Sequence, residues 1–292
     1  MNVPPLLPSD PPPALPPVLA EPAATPAPRV KAWRWWIHLL LIAAYPLLIG
    51  VVGLGVGEAT GPALSNNARG LLLVSAEQLL IFGLLFGVAW LASRATREDL
   101  LWRWRGGFWP VPLGIGYSVA LRLAVGLLAG VVVGALVISG AVTLDRTEEF
   151  VLKNRPDVES VVDVPAMRQD PVYYWLTLTV VSFVVAGFRE ELWRVAFLAG
   201  MRALWPQRFG SRAGQMVAVL IAAVIFGLGH LPQGVIAVGL TGLLGVGLGA
   251  IMVFHRSIWP AVIAHGMFDA TSLALIPWAL DLLQEVQRKL GH

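Results

Sequence analysis

The chain has 292 residues, 57% of them hydrophobic and 13% charged, with a formal net charge of +3. A soluble domain is nearer a quarter charged, so the composition excludes a soluble globular enzyme and points to a polytopic membrane protein with one membrane domain. There is no cysteine, which excludes disulfides, thiolate nucleophiles and thiolate metal sites; the basic residues gather at helix ends, which is topology information and not a nucleic-acid footprint.

Residues 1–28 are dominated by Pro and Ala, including Pro11-Pro12-Pro13. Without a basic n-region or an apolar h-region they do not read as a cleaved signal peptide, and their composition predicts a disordered, polyproline-leaning tail. Seven apolar segments come after it, at about 35–57, 70–93, 108–138, 172–205, 213–231, 235–254 and 258–280. The first is entered through Arg29, Lys31 and Arg34 and the belt of Trp33, Trp35 and Trp36. The expected fold is therefore an all-α transmembrane helix bundle of about seven to eight spans. Residues 29–140 supply the N-terminal helices and 172–280 the core. The loop 141–171 between them is acidic, with seven Asp/Glu against four Lys/Arg, and is expected outside the membrane. From Asp281 the tail 281–292 places Leu282, Leu283, Val286 and Leu290 at helical spacing, the pattern of an interfacial helix.

Basic residues alternate between loops. Arg94, Arg97, Arg103 and Arg105, then Arg202, Arg208 and Arg212, then Arg256 lie in loops that the positive-inside rule assigns to the cytoplasm of a multi-pass cell-membrane protein. Segment six is crowded with glycine, including Gly245-xxx-Gly249, which predicts close helix packing. Glu77 and Arg122 lie at matching depth in segments two and three and are expected to form a structural ion pair.

The chemistry is concentrated in Phe188-Arg189-Glu190-Glu191-Leu192-Trp193-Arg194, four charges inside an apolar segment. A charge at membrane depth costs roughly 2.5–3.5 kcal/mol on insertion scales, so such residues face a bundle interior or a wet cavity. Glu190 and Arg194 are i,i+4 and Glu191 and Arg194 are i,i+3, so the arginine can neutralise one carboxylate. His38 and His292 read as interfacial and His255 as a loop residue. That leaves His230 at the end of segment five, with Phe226 four residues before it, and His265 in segment seven, with Asp269 four residues after it. Asp269 can then hold the imidazole in one tautomer.

Glu-Glu followed by Arg, then Phe226-xxx-His230, then His265-xxx-Asp269, preceded by Ser257-Ile258-Trp259-Pro260-Ala261, is the motif order of a known family. The chain resembles the CAAX protease and bacteriocin-processing (CPBP) intramembrane proteases over about residues 172–280. The resemblance implies hydrolysis of peptide bonds in membrane-associated proteins or peptides, with Glu190, Glu191, His230, His265 and Asp269 catalytic and Arg194 and Phe226 supporting. It departs from the family pattern in two places. Two residues, not three, separate Glu191 from Arg194, so Arg189 or Glu190 takes the first motif position; Glu190 falls on a motif Glu either way. Asp269 stands where many relatives carry Asn. In this reading Glu190 and His230 activate a water, and His265, aided by Asp269, stabilises the oxyanion. A metalloprotease version stays open, with His230, His265 and Glu190 holding a Zn²⁺. So do a non-catalytic scaffold or immunity-type relative and, behind it, a proton-coupled transporter.

Helical rise places Glu190 and His230 roughly 27 and 33 Å from the loop between their segments, nearly level, but His265 only about 12 Å from its own loop. Convergence requires a tilt, a short segment or a break, and a break is predicted at Leu231-Pro232-Gln233-Gly234, where the proline interrupts a helix.

Overall fold

The computed structural model describes residues 30–55, 62–104, 107–143, 146–147, 150 and 155–290. The Pro/Ala tail of residues 1–28 and the terminal His292 lie outside them. The described residues form helices and turns: α1 (Ala32–Gly55), α2 (Ala68–Ser93), α3 (Pro110–Ile138), α4 (Val164–Gln169), α5 (Pro171–Leu204), α6 (Pro206–Phe209), α7 (Arg212–Leu228), α8 (Val235–His255) and α9 (Trp259–Leu290). Six of these are long and apolar enough to cross a membrane, and α7, at 17 residues, is a shorter apolar helix. All seven apolar segments are therefore present as helices. The last runs without interruption through residue 290, so residues 281–290 continue α9 and are not a separate element.

Local chemistry sets the helix ends. Asn67 caps α2 by accepting from the Gly70 amide, and Ser211 caps α7 by accepting from Gly214. The predicted break is present: α7 ends at Leu228, a 3₁₀ turn spans Leu231–Gln233, and Gly234 takes φ +101°, a conformation glycine adopts without steric cost. Pro46 lies inside α1 and cannot donate to the carbonyl of Ile42; the Trp193 indole of α5 donates to that oxygen instead, at 2.6 Å. The proline thus creates an acceptor inside the bundle and α5 supplies its donor.

The middle of α5, Thr177–Phe188, is wound as a π-helix before α geometry resumes at Arg189. Each residue added to a turn rotates the rest of the helix by about 100°. The π stretch therefore sets which way Glu190 and Glu191 point. It packs on α9, where Gly187 permits the approach: a Cβ there would lie 2.9 Å from the Val262 carbonyl oxygen. Three glycines of α8 pack closely as expected, Gly242, Gly245 and Gly249 against Ala223 and Val219 of α7, while Gly247 faces Leu121 of α3 and Gly239 meets no neighbour.

The acidic loop is a packed cap where it is described. Ala63 and Leu64 amides donate to the carbonyls of Ser160 and Val161, and Val162, Met167 and Tyr173 bury against Leu64 and Leu71. Asp163 and Asp170 act as N-caps for α4 and α5. At the opposite end the arginine-bearing loops meet: the Ile258 amide donates to the Leu101 carbonyl, the Ser257 hydroxyl to the Arg103 carbonyl, and Arg202 to the Asp99 carbonyl.

Three expectations are corrected. His38 is not interfacial but fully buried, with Nε2 2.9 Å from the Ala196 carbonyl and Nδ1 3.0 Å from the Ser93 hydroxyl, so it ties α1 to α2 and α5. His255 ends α8 and meets the Tyr117 hydroxyl at 2.8 Å. Arg122 does not pair with Glu77, which is exposed on α2; it turns to α9, donating to the Phe268 carbonyl at 2.7 Å and the Ser272 hydroxyl at 3.1 Å and stacking over the Phe268 ring. Nearly uniform apolar helices carry no sequence signal for rotation about their axes, so matching depth does not identify the partner.

Candidate active site

The residue at the centre is His265, on the second turn of α9 and 3% exposed. Its Nδ1 lies 2.8 Å from Glu191 Oε1. A carboxylate accepts, so Nδ1 carries a hydrogen, and Nε2 faces the other way. There it finds Asp269 Oδ2 at 3.6 Å and Glu190 Oε2 at 3.8 Å. The imidazole therefore stands between three carboxylates from two helices. Glu191, not Asp269, holds its orientation.

The two glutamates differ in their surroundings. Glu191 is fully buried and pairs with Arg194, also fully buried, one helical turn on. Glu190 is 15% exposed and is held by Arg189, whose Nη2 donates to Oε1 at 2.8 Å while Nη1 donates to Gln78 of α2 at 2.7 Å. Arg194 thus fixes one member of the pair only. Gln78 is a site residue that the motifs do not single out, and Arg189 enters them only as an alternative first position. Two signals could have found them: Arg189 is the fourth charge of the run, and Gln78 is a second polar residue beside Glu77 in an apolar helix.

Four buried polar atoms here have no hydrogen-bond partner: Glu191 Oε2, Arg194 Nε and Nη2, and Arg189 Nε. Leaving such an atom unpaired costs about 1–3 kcal/mol, and native proteins meet it with ordered water or a bound group. Their concentration around His265 marks a polar space within an apolar bundle.

Phe226 and His230 complete the third side. The Arg194 guanidinium lies 4.9 Å above the Phe226 ring, and the Phe226 and His230 rings are 4.6 Å apart. His230 is half-buried just past the end of α7. Its Nδ1 is 2.9 Å from the Phe226 carbonyl, which can only accept, so Nδ1 bears the hydrogen and Nε2 is left as the acceptor in the neutral ring. Glu190, Glu191, Arg194, His265 and Asp269 are joined by direct contacts; His230 is linked to them through Phe226. Among the described residues, no group of three or more His, Asp or Glu side chains is placed to hold a metal ion. The expected zinc ligands His230, His265 and Glu190 are thus not assembled as a set.

One family model matches part of the chain. Residues 171–271 match the family model described as type II CAAX prenyl endopeptidase, Rce1-like. That segment is Rce1-like. No curated protein and no solved structure matches the chain. The Rce1-like segment contains α5, α7, α8 and the first part of α9, and so every Glu, His and Asp of the site; Gln78 and Arg122 reach it from helices outside the match.

Proposed function

We propose that the chain is an intramembrane endopeptidase that hydrolyses peptide bonds of membrane-associated proteins or peptides with a water activated by Glu and His. The observation that carries this reading is His265, held at Nδ1 by a fully buried glutamate and directed at Nε2 toward Glu190 and Asp269.

Glu190 Oε1 is occupied by Arg189, which leaves Oε2 as the basic atom on the side of His265. A water there passes its proton to Oε2 as its oxygen attacks the scissile carbonyl. His230, with Nε2 free to accept, fixes the second hydrogen of that water. His265, kept in one orientation by Glu191 and flanked by Asp269, is the donor at Nε2 to the oxyanion as it forms. Glu190 then returns its proton to the leaving amine. Arg194 lies against Glu191 and holds it in place beneath the His265 ring.

One observation favours a second reading. Each glutamate already has its own arginine, the arrangement of a purely structural ion-pair network in a non-catalytic relative. The full chain, reconstituted in vesicles with lipid-anchored reporter peptides, separates the two. The endopeptidase reading expects cleavage that His265→Asn removes while the unfolding transition holds. No cleavage of any reporter by the wild-type chain, or undiminished cleavage by the variant, overturns it.

A further inference from the structure

Away from the Glu–His centre, a cavity of about 560 Å³ opens at the end of the molecule where the arginine-bearing loops meet. Trp90, Arg94, Thr96, Arg97, Leu100 and Trp102 line it. Arg94 immediately follows α2, a span of 26 residues, so the cavity lies where hydrocarbon gives way to headgroups. Trp104, Phe108 and Trp109 stand exposed nearby, the aromatic girdle typical of that level.

Among the described residues neither Arg94 nor Arg97 forms a hydrogen bond or salt bridge with a carboxylate, although Glu98 adjoins Arg97 in the chain. The neighbouring acids are engaged elsewhere: Glu98 with Arg103, and Asp99 with the amide and hydroxyl of Thr96, both at 2.8 Å. Arg94 also takes φ +56°, a left-handed conformation that glycine fills more cheaply at a helix end. A guanidinium is kept there against a backbone cost.

We propose that this cavity binds the headgroup of an anionic phospholipid. Arg94 and Arg97 meet the phosphate oxygens, for which the planar guanidinium is shaped, and Trp90, Leu100 and Trp102 lie along the glycerol and upper acyl chain. A zwitterionic headgroup would set its own cation against the arginines. The site reaches the centre through one side chain. Trp102 is edge-on to Phe188 at 5.5 Å and to Trp259 at 5.7 Å. Phe188 precedes Arg189-Glu190, and Trp259 opens the helix bearing His265, so a seated lipid steadies both halves of the glutamate–histidine site. The binding itself does not depend on the endopeptidase reading.

The test is native mass spectrometry of the full chain exchanged into detergent with phosphatidylglycerol or phosphatidylcholine. The wild type is expected to retain phosphatidylglycerol and not phosphatidylcholine. Arg94→Gln/Arg97→Gln should lower that retention about tenfold or more. Arg208→Gln/Arg212→Gln, which removes the same charge from a neighbouring loop, should leave it intact. Arg94→Gly relieves the left-handed backbone, so it should keep or raise the unfolding temperature and still weaken retention. Equal loss in both double variants would mean diffuse attraction and would overturn the site. So would unchanged retention in the first, or displacement of the lipid by inorganic phosphate, which would make it a soluble-anion site.

Discussion

Helices α3 and α5 are both apolar spans, yet they occupy opposite kinds of surroundings. Every residue from Glu191 to Met201 of α5 is buried. On α3 only Pro110, Gly114 and Ser118 are, and Leu123, Leu127 and Val131 stand exposed. The helix with four charges in six residues is the one enclosed by the bundle, and the more uniformly apolar helix faces outward. In a membrane, lipid already satisfies an apolar side chain, and enclosure is needed where polar groups must find one another. The one charge on α3, Arg122, obeys the same rule by turning toward α9.

The sharpest way to break this contrast is through the chemistry proposed for its enclosed side. Glu190→Gln keeps the shape of the side chain and removes its basicity, so cleavage of a membrane-tethered reporter should fall about 10²–10⁴-fold with unfolding unchanged. Next comes the buried pair. Arg194→Met leaves the buried Glu191 without its arginine and with only the His265 imidazole as partner, and denaturant unfolding should show a loss of about 3–5 kcal/mol. Adding Glu191→Gln should restore much of that loss, because the isolated charge is gone. A smaller effect comes from packing. Gly187→Ala pushes a methyl toward the Val262 carbonyl and should cost about 1–3 kcal/mol. Gly130→Ala on α3, where a Cβ would meet nothing within 4 Å, should stay within about 0.5 kcal/mol.

The smallest effect belongs to an ion pair outside the spans. Arg155 meets Glu159 at 2.7 Å on the cap, and this hydrogen-bonded partner holds the Glu159 carboxyl below its ordinary 4.5. A depressed carboxyl contributes stability above its unfolded value and loses it as pH falls through the folded one. Both partners are substantially exposed, so Glu159→Gln should cost under about 1 kcal/mol at neutral pH and nothing once both states are protonated. Unfolding measured against pH checks this.

The sequence was informative wherever cost was local. Charges at membrane depth singled out Glu190, Glu191, Arg194, His265 and Asp269, and Pro232 with Gly234 marked the break that shortens α7. Glycine spacing in α8 pointed to close packing, though not to α7 as the partner. It was silent wherever rotation decided the outcome. The π winding of Thr177–Phe188 has no compositional signature. Glu191, not Asp269, orients His265, and Arg122 faces α9, not Glu77; both depend on which face each helix presents. His38 reads as interfacial because it lies at the start of the first segment, but its ring has carbonyl and hydroxyl partners inside the bundle.

The central claim is that charged groups from α5 and α9 meet around His265. The chain has no cysteine, so a cysteine pair can test it in native membranes without background. Glu190→Cys/Asp269→Cys should be joined efficiently by a short bis-maleimide, whereas Glu77→Cys/Arg122→Cys should not. A cross-link at 77 and 122 with none at 190 and 269 would contradict the convergence on which the proposed active site is built.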